Sequence, residues 1–271
     1  MHNRRLVQVV CGPMVALLLL AAGSLSGCAG PAKSELNQVQ TASDQTDLDR
    51  RARVRLELAS AYFSRGQYNT ALDEVKLALQ ARSDLPDAFN LRGLIYGAME
   101  EPALAEESFK RALQLNPRDG DAMHNMAWFQ CQQRRYAEAD ATFERVLALP
   151  AYRETQRSLM ARGHCQARNA QWPEAERTLS RAYELDAGNP AAAVSLSEVL
   201  YQRGEYERAR FYIRRVNGAE EYLNAQTLWL AIRIENKMGQ PAQVRALGVQ
   251  LTNRFPQAPE ALLYQKGRFD D

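Results

Sequence analysis

Few residues of this 271-residue chain could do chemistry, since it holds only four cysteines and three histidines. His2 sits at the extreme N-terminus, which leaves His124 and His164, with Cys131 and Cys165, as the ligands a zinc ion would want. Neither spacing resembles a zinc-finger ligand pair, so no metal is expected. The chain contains no glycine-rich phosphate loop, no Gly-x-Ser-x-Gly elbow and no His-Glu-x-x-His helix, so catalysis finds no support. Carboxylates such as Glu106, Glu107, Glu174 and Glu176 fall at solvent-facing helical spacing and read as a solvated face. The expectation is a non-enzyme with no cofactor and no small-molecule substrate.

Composition narrows the class further. Lys and Arg number 34 against 32 Asp and Glu, too even a balance for a partner that binds nucleic acid by neutralising phosphates, so no nucleic acid is expected. With 46% hydrophobic residues the chain is too apolar to be disordered, and its low aromatic content with abundant Ala, Leu, Arg and Glu leans towards helix.

The remaining cysteines, Cys11 and Cys28, belong to a separate segment. Arg4 and Arg5 precede an apolar run from Met14 to Ala22, and Leu25-Ser26-Gly27-Cys28 follows. The run is too short for a permanent membrane span, and its basic start and small-residue end are those of a secretory signal over residues 1–27. The order leucine, small, glycine, cysteine resembles the bacterial lipobox, which implies that Cys28 is acylated and becomes the first mature residue. An ordinary signal peptide with an incidental cysteine, or a single membrane anchor, are the alternatives. Ala29 follows the cysteine where Asp would mark retention in enterobacterial sorting, which implies an outer-membrane, lipid-anchored protein facing the periplasm. The loss of Arg4 and Arg5 with the signal removes the whole basic excess. Residues 28–49 are polar and read as a flexible tether, with a root-mean-square span of roughly 25 Å for such a length.

What positions everything else is a period. Small residues recur at Ala59, Gly93, Ala127, Gly163 and Ser197, and again at Ala71, Ala105, Ala139, Ala175 and Ala209. Bulky ones stand four beyond the second set, at Val75, Phe109, Phe143, Leu179 and Ile213, and Gly66, Gly204 and Gly239 mark turns. A helix-turn-helix unit at about 34 residues is the tetratricopeptide repeat (TPR) pattern: small residues let two helices approach, and bulky ones fill the space towards the next repeat. No repeat buries its apolar face alone, so the repeats stack. The domain expected over 50–271 is therefore all-α, a right-handed superhelical solenoid of about six TPR repeats with a short C-terminal capping helix. The repeats fall at about 52–85, 86–119, 120–155, 156–189, 190–224 and 225–258, with the cap at about 259–267. The last repeat is the weakest match, because Pro241 replaces the turn aromatic seen at Tyr68, Tyr136, Trp172 and Tyr206.

The first helix of each repeat lines the concave side of such a stack, so its outward positions form the candidate partner-binding groove. By register these include Leu56, Phe63, Asn90, Leu94, His124, Trp128, Met160, His164, Tyr201 and Trp229, with Arg157, Glu198 and Arg233 among the charged ones. The mixture suits a peptide held by apolar side chains, although some of these residues would instead pack beneath a neighbouring helix. Cys131 and Cys165 fall late on the first helices of consecutive repeats. In an oxidising periplasm a disulfide between them is favoured, stapling repeats three and four. Two separate buried thiols are the alternative, because neighbouring helix axes lie about 8–10 Å apart and a bridge needs Cα atoms within about 7 Å.

Lipobox, tether and six repeats together resemble the PilF/PilW family of type IV pilus biogenesis lipoproteins. Met99-Glu100-Glu101-Pro102 followed by Leu104-Ala105-Glu106-Glu107 resembles the family's second-repeat turn. His124-Asn125-Met126-Ala127-Trp128-Phe129-Gln130-Cys131 is similar to the Asn-Asn-Tyr-Gly-Trp-Phe-Leu-Cys stretch of its third repeat, best kept in the beta-proteobacterial branch, with Met126 and Ala127 departing from Tyr and Gly. That branch also tends to carry a fourth-repeat cysteine, which Cys165 matches, and this supports the bridge. The resemblance implies a pilotin: a lipoprotein held in the outer membrane through Cys28 that binds the pilus secretin subunit and promotes its localisation, multimerisation or stability. Trp128 with Leu94, Phe63 and Met160 would form the apolar grip. A general periplasmic TPR scaffold in envelope or cell-wall assembly is the alternative.

Overall fold

A computed structural model of the chain describes residues 42–269. Within them the backbone is helical throughout, as six consecutive pairs and a final short helix. The pairs are α1 (Ala42–Ser64) with α2 (Tyr68–Ala81), α3 (Pro86–Ala98) with α4 (Pro102–Leu115), and α5 (Gly120–Gln132) with α6 (Tyr136–Leu147). They continue as α7 (Thr155–Arg168) with α8 (Trp172–Leu185), α9 (Pro190–Gln202) with α10 (Tyr206–Asn217), and α11 (Ala225–Lys237) with α12 (Pro241–Arg254), before α13 (Pro259–Gln265) closes the stack. The helix starts are written locally. Pro opens α3, α4, α9, α12 and α13, where a missing N–H costs nothing. The Asp119 and Asn189 side chains accept from the first backbone N–H groups of α5 and α9, and Asn224 with Thr227 forms a reciprocal capping box on α11.

Within each pair the chain reverses in the same way six times. The N–H groups of Gln67, Glu101, Arg135, Gln171, Glu205 and Gln240 each donate to the carbonyl five residues back, and the residue before each has a left-handed backbone. That residue is Gly66, Gly204 or Gly239 in three repeats, but Glu100, Arg134 or Ala170, with φ of 60°, 60° and 55°, in the others. A side chain in this conformation costs about 1–2 kcal/mol, so three of the six turns are held by the packing on either side.

Size complementarity sets the distance between the paired helices. A Cβ added to Gly93 would lie 2.7 Å from the Phe109 ring, and one on Gly163 would lie 2.5 Å from Leu179, so the bulky residue of the second helix rests directly on the small residue of the first. The same bulky residues reach onward to the next repeat: the rings of Phe109 and Phe129 pack at 5.7 Å. In the sixth repeat the sizes are exchanged. Ile232, fully buried, stands where the first helix is otherwise small, and Gly248 stands where the second helix is otherwise bulky. Tyr264 of α13 occupies the space this frees, only 1.8 Å from where a Gly248 Cβ would be. The weak sixth match thus has a physical cause, since this repeat is shaped to receive a cap.

Two expectations are corrected by the fold. The tether expected over 28–49 ends earlier, because α1 is already helical at Ala42; its Asp49 carboxylate pairs with Arg82 just past the end of α2. Residues 28–41 lie outside the described residues. Glu106 and Glu176 do not form a solvated face with Glu107 and Glu174. Each reaches across to the following repeat, Glu106 to Arg135 at 2.7 Å and Glu176 to Arg203 and Arg208. Asp140 occupies the same register in the third repeat and holds Arg162 through both oxygens, at 2.8 and 2.9 Å. In the fifth repeat the sign reverses, and Arg210 and Arg214 meet the buried Glu235 of α11.

Among the described residues the backbones of successive first helices come close together, whereas those of successive second helices stay farther apart and meet through side chains such as the Tyr183 and Tyr212 rings, 5.1 Å apart. The first helices therefore line the inner curve of the stack and the second helices its outside. A test of the turn geometry is Ala170→Gly, which should raise stability by about 1 kcal/mol because glycine accepts a left-handed φ without cost. Urea unfolding would show a higher midpoint; a lower midpoint, the usual result of glycine in a helix, would contradict the assigned turn.

Candidate functional site

The concave face is built by α1, α3, α5, α7, α9 and α11, and its two halves differ. In the first half, Leu56, Phe63, Asn90, Leu94, Trp128 and Met160 are half-buried, each keeping part of its surface open. His124, expected on the open face, is instead buried. Its Nδ1 lies 2.8 Å from Ser158 Oγ, and its ring stands edge-on to Phe143. Burial, with Arg157 adding to it, pushes its pKa down to about 4, so the imidazole is neutral and serves as a packing and hydrogen-bonding group. Asn125 Nδ2 donates to Asn90 Oδ1 at 3.0 Å, and Arg157 donates onward to Asn125 and Asp121, so a polar ladder crosses three first helices. Asn125 and Ser158 had no signal in the sequence, because each acts through a partner a full repeat away.

Behind this half, Cys131 and Cys165 are joined, with Cα atoms 5.8 Å apart. Both are buried in the cluster that also holds Ala127, Phe143 and Val146, at the contact between α5 and α7. The helices come close enough for the bridge because first helices of neighbouring repeats meet directly at this point. The sequence separation of 34 residues is one full repeat, for which the chain-entropy account gives about 3–4 kcal/mol of stabilisation.

The second half carries a cleft of about 560 Å³ between α7, α9 and α11, with Glu260 of α13 at its edge. Tyr201 and Trp229, placed on the open groove by register, are almost fully buried and serve as its walls. Tyr201 lies beneath the Arg233 guanidinium at 4.6 Å, and Trp229 stacks on Phe269 at 5.9 Å. His164 is half-buried, and its Nε2 lies 2.7 Å from Ser195 Oγ. The serine hydroxyl donates to the Ala191 carbonyl at 2.8 Å, so the imidazole N–H is the donor of this pair and Ser195 is not poised as a nucleophile. Burial lowers the His164 pKa, which keeps the ring neutral. Among the described residues no three His, Cys, Asp or Glu side chains converge as metal ligands. The arrangement suits holding a polypeptide: a curved face with apolar, hydrogen-bonding and charged positions spread over six repeats. Cys28 lies outside the described residues.

The bridge makes a direct prediction. Thiol titration of the denatured, unreduced mature protein should find neither Cys131 nor Cys165 free, and reduction should lower the unfolding free energy by about 3 kcal/mol. Two titratable thiols from these positions would contradict it.

Comparison with known proteins agrees with this architecture. Residues 86–119, 108–141 and 167–221 match the tetratricopeptide repeat family. The type IV pilus assembly protein PilF of Pseudomonas aeruginosa is 25% identical over 254 residues, which is 92% of this chain and 97% of PilF. Among solved structures, that of PilW, a widely conserved type IV pilus biogenesis factor, superposes with a TM-score of 0.73 at 26% identity, covering 79% of this chain and 98% of PilW. The structure of Pseudomonas aeruginosa PilF gives a TM-score of 0.70 at 24% identity, covering 82% of this chain and all of the solved PilF chain. The likeness runs along the whole solenoid, beyond single repeats, and makes this chain a tetratricopeptide-repeat protein similar throughout to the type IV pilus proteins PilF and PilW.

Proposed function

We propose that the protein is an outer-membrane lipoprotein that holds the pilus secretin on its concave face and promotes the secretin's localisation, multimerisation or stability. The observation that carries this reading is the similarity to PilF along 92% of the chain, which extends through every repeat that contributes to the face. Two devices divide the work. Lipid on Cys28 supplies the membrane address, supported by the Leu25-Ser26-Gly27-Cys28 order behind an apolar run. The face supplies the grip. Leu94 and Trp128 stand at the same register on α3 and α5, and both stay half-open to solvent with Phe63 and Met160, so an apolar segment laid along the face would bury all four. The Cys131–Cys165 bridge fixes α5 against α7, and so fixes the spacing between Trp128 and Met160 before any partner arrives.

One experiment separates address from grip. Cells carrying Cys28→Ser, or Leu94→Ala together with Trp128→Ala, are fractionated and their secretin multimers quantified. The serine variant should leave the outer-membrane fraction. The double alanine variant should remain there, unfold cooperatively, and still yield several-fold fewer multimers. Undiminished multimers in both would exclude the secretin role and favour a general envelope scaffold.

A further inference from the structure

The cleft of the second half contains a carboxylate with no hydrogen-bond or ion-pair partner among the described residues. Glu198, on α9, lines both this cleft and the neighbouring depression that runs along α9 towards Tyr222 and Asn224. Its surface is open to solvent, and it takes part in no hydrogen bond or ion pair within the described residues. The cleft walls still desolvate it, holding its pKa above the ordinary carboxylate range against the opposing pull of Arg233. Every other acidic side chain discussed at the repeat junctions is paired across the junction. Arg233 is the obvious partner for Glu198, but its Nε donates to the Phe269 carbonyl at 3.1 Å and its planar face lies over Tyr201. The guanidinium is thus engaged elsewhere, and it forms no ion pair with Glu198 although its charge is felt there.

The walls add to the same preference. Trp172, Tyr201 and Trp229 line the cleft, and because Arg233 already lies over Tyr201 and Trp229 stacks on Phe269, Trp172 is the ring left to attract a cation. Val199 and Leu230 supply apolar surface for an aliphatic stem. A lysine or arginine fits both features at once, because each carries a charged head on a chain of methylenes.

We propose that this cleft takes a basic side chain from an apolar stretch of a partner polypeptide, with Glu198 as its counter-ion and Trp172 and Trp229 as walls for its stem. The proposal rests on the reading of the concave face as a protein-binding surface, and it locates a second, charge-selective grip about two repeats beyond the apolar one. An acidic segment would face Glu198 and Glu260 and gain only the exposed Arg168 beyond the already engaged Arg233.

The test is a selection of random dodecapeptides, displayed on phage, against the full chain purified in detergent. Enriched peptides should carry Lys or Arg within two positions of Leu, Ile, Phe or Trp. Made synthetically and followed by fluorescence anisotropy, they should lose at least tenfold in affinity when Glu198→Gln replaces the carboxylate, and again when norleucine replaces the basic residue. Circular dichroism of the Gln variant checks that the helices are intact. The proposal is overturned if no peptide is enriched, if enrichment favours acidic or uncharged peptides, or if the enriched peptides bind the Gln variant as tightly as the wild type. Secretin co-purification is scored in parallel. If the peptides behave as expected and the secretin does not co-purify, the cleft chemistry is upheld and the secretin reading fails on its own.

Discussion

Two α-helices can approach closely only where one of them gives up volume, and the rest of this molecule depends on that concession. Phe109 lies on Gly93 and Leu179 on Gly163, at separations that leave no room for a single methyl group. With the helices of a repeat so close, the large ring or branched side chain projects onward and becomes the surface against which the next repeat packs, as Phe109 does with Phe129. The backbones of the second helices, thickened by these residues, stay farther apart than those of the first helices, and the stack must curve. The concave face is a consequence of that curvature. So is its end, because the exchange of sizes at Ile232 and Gly248 lets Tyr264 fill the last site and stops the series.

Polar contacts then give the stack its order. Glu106, Asp140 and Glu176 each reach from a second helix to the following repeat, and Arg210 does so with the opposite sign against Glu235. Desolvation offsets much of what such pairs gain, so their larger effect is to define which neighbour fits where. Charge along the sequence is close to balanced, and the cleft of the second half carries both signs, Arg168 and Arg233 with Glu198 and Glu260. The covalent bridge lies behind the apolar half of the face and fixes α5 against α7, the helix that also lines the cleft of the second half. A rigid face loses less entropy on binding than one that must first find its shape.

Much of this could be read from the sequence because stacking repeats a single local solution. The registers of small and bulky residues locate the helices and the core, since each is decided by contacts one repeat away, and they put Cys131 and Cys165 one repeat apart without deciding whether the two are bridged. Residues whose role depends on a particular partner were misread. His124, Tyr201 and Trp229 sit at outward registers, yet Ser158, Arg233 and Phe269 cover them. Glu106 and Glu176 look solvent-facing on a lone helix and become junction residues only when Arg135 and Arg203 arrive. Pro102, Tyr136 and Trp172 mark the turns at Glu100, Arg134 and Ala170, but the left-handed backbone there is hidden because a side chain stands where glycine marks the same turn elsewhere. The start of α1 at Ala42 was missed because polar residues with no apolar stripe carry it, and its support comes from Arg82.

The central claim is that the inner curve of this solenoid is the surface that meets the pilus secretin. Site-specific photo-crosslinking in living cells tests it most directly, with a benzophenone amino acid placed at Met160 on the concave face and, separately, at the exposed Phe211 on the outer helix α10. The account predicts secretin adducts from position 160 and none from position 211. Adducts from position 211 alone, or from neither, would contradict it.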